Sequence, residues 1–302
     1  MLVSTPIGNL GDISARAIAA LQAADLVLCE DTRNTRRLAR VFAIQAPLSA
    51  LHEHNEAGRI PAILRLLAAG RRVALVSDAG TPLISDPGFR LLRAAIAAGV
   101  PVSAVPGPNA ALMALTLSGL PPQPFLFLGF APVRSAARRA SFARIAALER
   151  GGLAATLLWH EAPHRLAATL GDLAASFGPR PAAVARELTK RFEEVRRGTL
   201  VELAEHYRAA PARGEITLVV GPAPEAAAEP AAVEIEARLA RLFERQTSVR
   251  EAVALVAAET GAARREVYAR ALALTRARGD SPPQRPNRAR RRGGSGQPCS
   301  ED

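Results

Sequence analysis

A loop rich in glycine, proline and aspartate follows an apolar run in the first third of the sequence. The run covers residues 73–76, and the loop at 77–88 reads SDAGTPLISDPG. In open α/β sheets, ligands bind beyond the carboxyl ends of strands, where such loops lie. The phosphate-binding motifs G-x-G-x-x-G and G-x-x-x-x-G-K-[ST] are absent from the sequence, and Asp78 and Asp86 would repel a phosphate. The loop therefore favours a neutral or cationic ligand with hydroxyl and amine groups.

A second candidate for chemistry is the string HEAPH at 160–164, which matches the zinc-protease motif H-E-x-x-H. That motif requires both histidines on one face of a continuous helix. Here the apolar run at 157–159 indicates a strand, and Pro163 suits the first turn of a helix. His160 would then precede the helix instead of lying one turn behind His164. We expect no metal site, and a zinc hydrolase is an alternative that metal analysis would test.

The elements that must hold the first loop alternate between strand and helix over 118 residues. Their alternation predicts a mainly parallel sheet with helices on both faces. The predicted strands are 2–5, 26–29, 48–51, 73–76 and 101–105, each followed by a helix.

A second α/β unit follows the proline-rich linker LPPQP at 120–124. Its predicted strands are 125–129, 153–158, 182–188, 193–197 and 215–220, separated by helices near 135–149, 162–176 and 199–208. Residues 223–232 are rich in Ala, Pro and Glu and indicate a second linker, after which the capping box SVRE at 248–251 begins a helical pair.

These patterns predict two consecutive α/β domains and a small C-terminal helical extension. The boundaries are 1–120 for the first α/β domain, 121–222 for the second, 223–246 for a linker and helix, 247–278 for the helical extension, and 279–302 for a disordered basic tail.

The chain of 302 residues has a net charge of +11, and over half of that excess arises after residue 263. Such an excess suggests a polyanionic partner. The two cysteines, Cys29 and Cys299, form no disulfide framework, and no apolar run approaches the roughly 20 residues of a membrane span. The N-terminus indicates a strand and not a signal peptide. We therefore expect a cytoplasmic enzyme.

Eight strings, in order along residues 2–222, carry a resemblance to a known family. Four resemble the tetrapyrrole methylase superfamily: TPIGNLGD at 5–12, SDAGTPLISDPG at 77–88, PGPNAA at 106–111 and GEITLVVG at 214–221. Four more resemble the branch that methylates the ribose 2′-oxygen of a cytidine in 16S ribosomal RNA: EDTR at 30–33, HEHNE at 52–56, EAPHR at 161–165 and ARELTK at 185–190. The helical pair at 247–275 also resembles the C-terminal extension of this branch.

The resemblance implies S-adenosylmethionine as the cofactor, held in a cleft between the two α/β domains. This compound carries an amino acid, a ribose and an adenine but no phosphate, which agrees with the acidic loop. Gly107 would let the chain pass close to the ligand, whereas DPG at 86–88 either touches the cofactor or only begins the next helix. The cofactor contacts that the resemblance implies are Leu10, Asp78, Ala79, Gly80, Thr81, Pro82, Gly107, Asn109, Ala110, Glu215 and Ile216.

Methyl transfer to a hydroxyl requires an oxygen aligned with the methyl group, exclusion of water and a proton acceptor. The candidate acceptors, all at or just after predicted strand ends, are Glu30, Asp31, His54, Glu161 and Glu187. For each of them the alternative is an ion pair with a nearby basic residue. The predicted RNA phosphate contacts are Arg33, Arg165, Arg186 and Lys190.

The sequence thus predicts an S-adenosylmethionine-dependent ribose 2′-O-methyltransferase that forms a homodimer and acts on 16S ribosomal RNA of the small ribosomal subunit. It predicts neither a metal site nor a membrane partner. Two alternatives from the same reasoning are a tetrapyrrole C-methyltransferase and a non-catalytic RNA-binding assembly factor. The helical pair has either a packing role or an RNA-docking role.

Overall fold

The computed structural model describes residues 1–224 and 229–277, except for the side chains of residues 229–233, 276 and 277. The basic tail at 279–302, for which the sequence predicts disorder, lies outside the described residues. The chain forms two compact units, and the boundary between them follows Pro224. The first unit contains both α/β domains.

The first α/β domain is built on a five-stranded sheet in which every neighbouring pair is parallel, in the order β3-β2-β4-β1-β5. Its strands are β1 (Leu2–Val3), β2 (Leu26–Cys29), β3 (Leu48–Ala50), β4 (Val73–Val76) and β5 (Ala104–Val105), and its helices are α1 (Ala15–Gln22), α2 (Thr32–Val41), α3 (Glu56–Ala68), α4 (Phe89–Ala97) and α5 (Ala110–Ser118). Strand β4 is buried along its whole length, as expected where helices cover both faces of a parallel sheet. The predicted architecture is confirmed.

The second α/β domain has a mixed sheet in the order β6-β7-β10-β8-β9, and only the β6–β7 pair is parallel. Its elements are β6 (Phe125–Phe130), α6 (Ser135–Arg150), β7 (Thr156–Glu161), α7 (Leu166–Phe177), β8 (Pro181–Arg186), β9 (Glu194–Thr199), α8 (Leu200–Ala209) and β10 (Ile216–Val220). The sequence predicted β7 at 153–158, which is about three residues too early. The strand extends further because its pairing with β10 continues to Glu161, opposite Ile216.

Helix α5 follows the first sheet in the chain but packs on the second sheet. Its inward residues Ala111, Ala114 and Leu115 join Leu158 of β7 and Val219 of β10 in one buried cluster. Ala114, Leu158 and Val219 are fully buried. The small alanine side chains let the helix backbone lie close to the strands, so this contact fixes the position of one α/β domain against the other.

The second unit is helical and has its own core. It consists of α9 (Glu229–Glu244), α10 (Val249–Thr260) and α11 (Arg264–Ala277), which bury Ile235, Leu239, Val256, Val267 and Ala271. Ser248 caps α10 as the sequence predicted, accepting a hydrogen bond from the Glu251 amide at 3.3 Å. Helix α9 begins at Glu229, inside the segment for which the sequence predicted a linker. Within residues 1–224 and 229–277, none of the helices has the length and apolar character that crossing a membrane requires.

Replacing Ala114 with leucine should destabilise the protein by about 1–3 kcal/mol, because a larger side chain does not fit between α5 and the strands without displacing them. Urea unfolding monitored by the fluorescence of Trp159, the single tryptophan, reports on the neighbouring strand. The matched control is Ala147→Leu, which makes the same change at an exposed position of α6. Equal unfolding midpoints for the two variants would contradict the role of the α5 contact.

Candidate active site

Three loops meet at the carboxyl edge of the first sheet and hold one another in place. Thr5 and Gly80 exchange backbone hydrogen bonds of 2.9 and 3.1 Å. The Thr5 hydroxyl donates to the Ser77 carbonyl at 3.0 Å, and the Thr81 hydroxyl donates to the Pro108 carbonyl at 3.1 Å. The loops that follow β1, β4 and β5 therefore form one hydrogen-bonded platform.

Two predicted cofactor residues have structural tasks in this platform. A Cβ atom on Gly107 would lie 2.8 Å from the Cβ of Ser4, so the missing side chain lets this loop approach the loop after β1. Asn109 caps α5, because its side chain accepts a hydrogen bond of 3.1 Å from the Leu112 amide. Both residues position the start of α5 against the rest of the platform.

A cleft of about 350 Å³ lies between the platform and the second sheet. The first α/β domain contributes Ile7, Ala79, Ile84, Ser85, Asp86 and Ala110, and the second contributes Phe130, His160, Glu161, Ala162, Pro163, Ala185, Leu188 and residues 214–217. Four of the predicted cofactor residues line this cleft: Ala79, Ala110, Glu215 and Ile216. Among the described residues, no lysine or arginine lines it, so the cleft offers apolar surface and carboxylates but no fixed positive charge.

A second cavity of about 440 Å³, which we call the basin, shares Ile7, Ala79 and Glu215 with the cleft. It contains the predicted cofactor residues Leu10 and Asp78, and it differs from the cleft because two basic residues, Arg37 and Lys190, line it. The predicted cofactor residues are thus divided between two cavities that have a common wall.

The Asp78 carboxylate is held by the start of α2. It accepts hydrogen bonds from the Asp31 amide at 3.0 Å and from the Asn34 side chain at 2.8 Å. Asp86 instead faces the cleft. The two aspartates of the loop therefore have different roles, one joining β4 to α2 and the other providing a carboxylate to the cleft.

Burial and neighbouring negative charges raise the pKa values of two carboxyl groups at this edge of the sheet. Burial raises the pKa of Asp86 above its ordinary value, and the charge of Asp78 adds to the effect. Partial burial, followed by the charges of Asp78 and Asp86, raises the pKa of Glu30 at the end of β2. A carboxylate with a raised pKa is a stronger proton acceptor than an ordinary one.

Glu161 is fully buried, and its charge is already satisfied. It accepts hydrogen bonds from the Thr169 hydroxyl at 2.6 Å and from the Ala162 amide at 2.7 Å, and it pairs with Arg165. Arg165 is itself largely buried and also donates to the Ala131 carbonyl at 3.3 Å. These contacts give Glu161 and Arg165 structural roles at the end of β7.

Glu187, Lys190 and Glu215 form a second group of paired charges, beside the basin. The ammonium of Lys190 lies 2.9 Å from Glu187 and 3.1 Å from Glu215. A hydrogen bond from the Glu215 amide and the contact with Lys190 lower the pKa of Glu187, which makes it a weaker base. Gly214 has a φ of +84°, and a Cβ there would lie 2.3 Å from the Glu187 carboxylate, so only glycine fits beside this group.

The remaining predicted residues lie on the outer side of the site. Asp31 caps α2 and pairs with Arg33, whose side chain is 85 % exposed. Hydrogen bonds from Arg33 lower the pKa of Asp31 to about 2. Arg186 pairs with Glu194 at 2.6 Å, and His54 is exposed in the turn before α3.

His160, which the sequence suggested only as half of a zinc motif, lines the cleft. Its Nδ1 lies 3.1 Å from the Thr217 hydroxyl, and its ring packs against Phe127 and Phe130. Burial lowers the pKa of this imidazole, so it is neutral in the folded protein near pH 7. Phe130 and Thr217 are further lining residues that the sequence did not assign, and the pairing of β7 with β10 places Thr217 opposite His160. Asp86, for which the sequence left a cofactor contact open, also lines the cleft.

The zinc alternative has no support in the geometry. His160 belongs to β7, whereas His164 lies in a one-turn 3-10 helix (Pro163–Arg165). Within residues 1–224 and 229–277, no three side chains of His, Cys, Asp or Glu are grouped so that they could hold a metal ion.

Comparison with known proteins agrees with this arrangement. Residues 1–204 match the family of tetrapyrrole (corrin/porphyrin) methylases, and residues 229–275 match the RsmI C-terminal HTH domain. Two relatives named ribosomal RNA small subunit methyltransferase I are highly similar. The one from Mesorhizobium japonicum is 47 % identical and covers 90 % of this chain and 91 % of its own. The one from Micromonospora olivasterospora is 49 % identical and covers 80 % and 75 %.

The chain belongs to the tetrapyrrole methylase family, in its ribosomal RNA small subunit methyltransferase I branch. Solved structures share the fold at lower identity. A uroporphyrin-III-C-methyltransferase from Thermus thermophilus is 23 % identical with a TM-score of 0.50, covering 72 % of this chain and 92 % of its own. A diphthine synthase is 16 % identical with a TM-score of 0.56, covering 72 % and 88 %. The family and fold implied by the eight strings are thus confirmed.

Replacing His160 with glutamine should make the free energy of unfolding less dependent on pH between 7 and 5. Burial lowers the pKa of folded His160 below the ordinary value of 6.5. As the pH falls through 6.5, the unfolded chain therefore binds a proton that the folded protein resists, and the wild type loses stability. Glutamine removes this contribution.

The measurement is urea unfolding at a series of pH values. The free energy of unfolding of the wild type minus that of His160→Gln should decrease as the pH falls. The exposed His164→Gln variant controls for removing a histidine. A difference that is constant over this range would rule out the buried neutral imidazole.

Proposed function

We propose that this protein transfers a methyl group from S-adenosylmethionine to the ribose 2′-oxygen of a cytidine in 16S ribosomal RNA of the small ribosomal subunit. Family membership supports methyl transfer, and the names of the relatives support small-subunit ribosomal RNA as the substrate. The cytidine and its 2′-oxygen rest on the eight-string resemblance. The structural observation that carries the proposal is the contrast in charge between the cleft and the basin.

The cleft suits a cofactor that is positively charged and has no phosphate. S-adenosylmethionine carries a sulfonium and an amine together with an apolar adenine. Asp86 and Glu215 supply carboxylates in the cleft, whereas Ile7, Leu188 and Ile216 supply apolar surface. A dinucleotide or nucleoside triphosphate would leave its phosphates without any basic partner there, which is costly for a buried charge.

The basin suits the RNA. Arg37 lines it and has no ion pair among the described residues, so it is available to a phosphate. Lys190 in the same cavity and the largely exposed Arg33 at the start of α2 are paired with carboxylates and would exchange these partners for RNA phosphates. Because the cleft and the basin share Ile7, Ala79 and Glu215, a nucleoside in the basin and a cofactor in the cleft meet at this common wall.

S-adenosylmethionine supplies an activated methyl group on its sulfonium when it is bound. Asp86, Glu215 and the apolar residues of the cleft would hold it, and its methyl group would be the one that the 2′-oxygen accepts. The hydroxyl proton must pass to a base. Among the five predicted acceptors, Glu161 and Glu187 are occupied by paired charges and Asp31 is paired with Arg33, which leaves Glu30 and His54 as the acceptors that we propose.

The Asp86→Asn variant should bind S-adenosylmethionine roughly tenfold more weakly, equivalent to about 1.4 kcal/mol, because it removes a carboxylate from a cleft without basic residues. Titration calorimetry measures the affinity. The control is Glu53→Gln, which removes one negative charge at an exposed position. Because the pKa of Asp86 is raised, its carboxylate takes up a proton at a higher pH than an ordinary aspartate does. The wild-type affinity should therefore decrease as the pH is lowered through this raised pKa. Equal affinities for both variants would remove Asp86 from the cofactor site.

The protein should transfer labelled methyl groups from S-adenosylmethionine to small ribosomal subunits that lack the modification. Mapping by nuclease digestion and mass spectrometry should locate the label on one cytidine ribose of 16S ribosomal RNA. A label on a base would contradict the 2′-oxygen. Cofactor binding without any transfer to RNA would favour the non-catalytic assembly factor, and transfer to a tetrapyrrole would favour the C-methyltransferase alternative.

The homodimer is part of the same proposal. It comes from the resemblance alone, and light scattering of the purified protein at micromolar concentration measures it directly.

A further inference from the structure

Three arginines of the helical unit lie together without partners. Arg250 is in the first turn of α10, and Arg264 and Arg265 begin α11. With Val253, Ala254 and Tyr268 they line a hollow of about 480 Å³, to which none of the described carboxylates contributes. In the described part of the chain, none of the three has an ion pair or a side-chain hydrogen bond.

The other arginines of this unit show that acidic partners are available within it. Arg238 pairs with Glu234 and Glu259, and Arg270 pairs with Glu236 and Glu266. These two arginines therefore bridge glutamates across and along the helices. In the first turns that carry the three unpaired arginines, Glu251 contacts Ser248 and Glu266 pairs with Arg270. Among the described residues, no glutamate lines the hollow itself, which concentrates positive charge there.

Keeping these charges together opposes folding. Like charges in close proximity repel one another, and a cation in the first turn of a helix also faces the positive end of the helix dipole. A local arrangement that costs stability without a compensating contact is typical of a functional surface. A bound polyanion would supply the missing contact.

Tyr268 indicates which polyanion fits. Its side chain is 45 % exposed beside the arginines, and an exposed aromatic ring among basic residues is the combination that binds single-stranded nucleic acid by stacking on an unpaired base. The small residues Val253 and Ala254 leave the hollow concave, which suits an inserted base better than a flat membrane surface.

We propose that this hollow, which we call the arginine–tyrosine surface, binds the sugar–phosphate backbone of small-subunit ribosomal RNA while Tyr268 stacks on an unpaired base. The choice of RNA rests on the proposed function. The surface would hold substrate RNA independently of the cofactor cleft, so the helical unit contributes affinity and the α/β domains carry out the chemistry.

The test measures binding of the full chain to fluorescent 16S ribosomal RNA fragments over a range of salt concentrations, without S-adenosylmethionine. The double variant Arg264→Gln, Arg265→Gln should bind about tenfold more weakly at 0.15 M salt, and the slope of log affinity against log salt should decrease by about 1.4 for two lost contacts to single-stranded phosphates. Tyr268→Ala should weaken binding roughly tenfold with an unchanged slope, and Tyr268→Phe should bind like the wild type.

The matched control is Arg241→Gln, Arg245→Gln. It removes two exposed arginines of the same unit that line a different hollow, together with Glu234 and Glu259. An equal loss in this control would show that net charge alone attracts RNA and would overturn the proposal. Unchanged RNA binding by the first double variant, with loss of its binding to phosphatidylserine vesicles, would overturn it in favour of a membrane surface.

Circular dichroism and melting temperature establish that each variant is folded. Since RNA binding is measured without the methyl donor, failure of methyl transfer would contradict the proposed function and leave the result for this surface unchanged.

Discussion

The packing of α5 on the second sheet is the contact on which the site depends. The helix belongs to the first α/β domain by sequence, yet Ala111, Ala114 and Leu115 are buried against β7, β8 and β10. Asn109 caps its N-terminus, and Arg197 of β9 donates to carbonyls at its C-terminus. Because both ends and one face are held, the loops of the first sheet meet the strand ends of the second at a fixed distance. The cleft is the space that this arrangement leaves.

Charge is distributed unevenly around that space. Arg165 and Lys190 both lie close to the cleft, but each is paired with carboxylates, which leaves no unpaired cation lining the cleft within the described residues. Unpaired basic groups are found outside it, at Arg37 of the basin and on the helical unit. A cationic cofactor and a polyanionic substrate impose opposite electrostatic requirements, and the protein satisfies both by placing them in neighbouring cavities.

The sequence predicted the alternation of strands and helices, the loop after β4 and the parallel first sheet, because these depend on local patterns and on chain order. It assigned Asp78 to the cofactor and left Asp86 open, because only the fold shows that α2 supplies donors to Asp78 and that Asp86 lines the cleft. It considered His160 only within a zinc-like string that it argued against. It missed the contact with Thr217, because the pairing of β7 with β10 connects residues 57 positions apart. The close approach of Gly107 to Ser4, where a Cβ would not fit, also depends on the fold and was not predicted.

Lys190 illustrates how composition and geometry combine. It is the only lysine among 39 basic residues, so arginine is the ordinary choice of this chain wherever a positive charge suffices. At this position the stem of the side chain crosses Gly8, where a Cβ would lie 2.4 Å from its Cγ, and the ammonium fits between Glu187 and Glu215. A planar guanidinium needs more room and donates in a fixed fork, whereas an ammonium is compact and can turn its donors. The lysine at this position therefore agrees with a compact cation that contacts two carboxylates while its stem packs on Gly8, at the wall where the cleft and the basin meet.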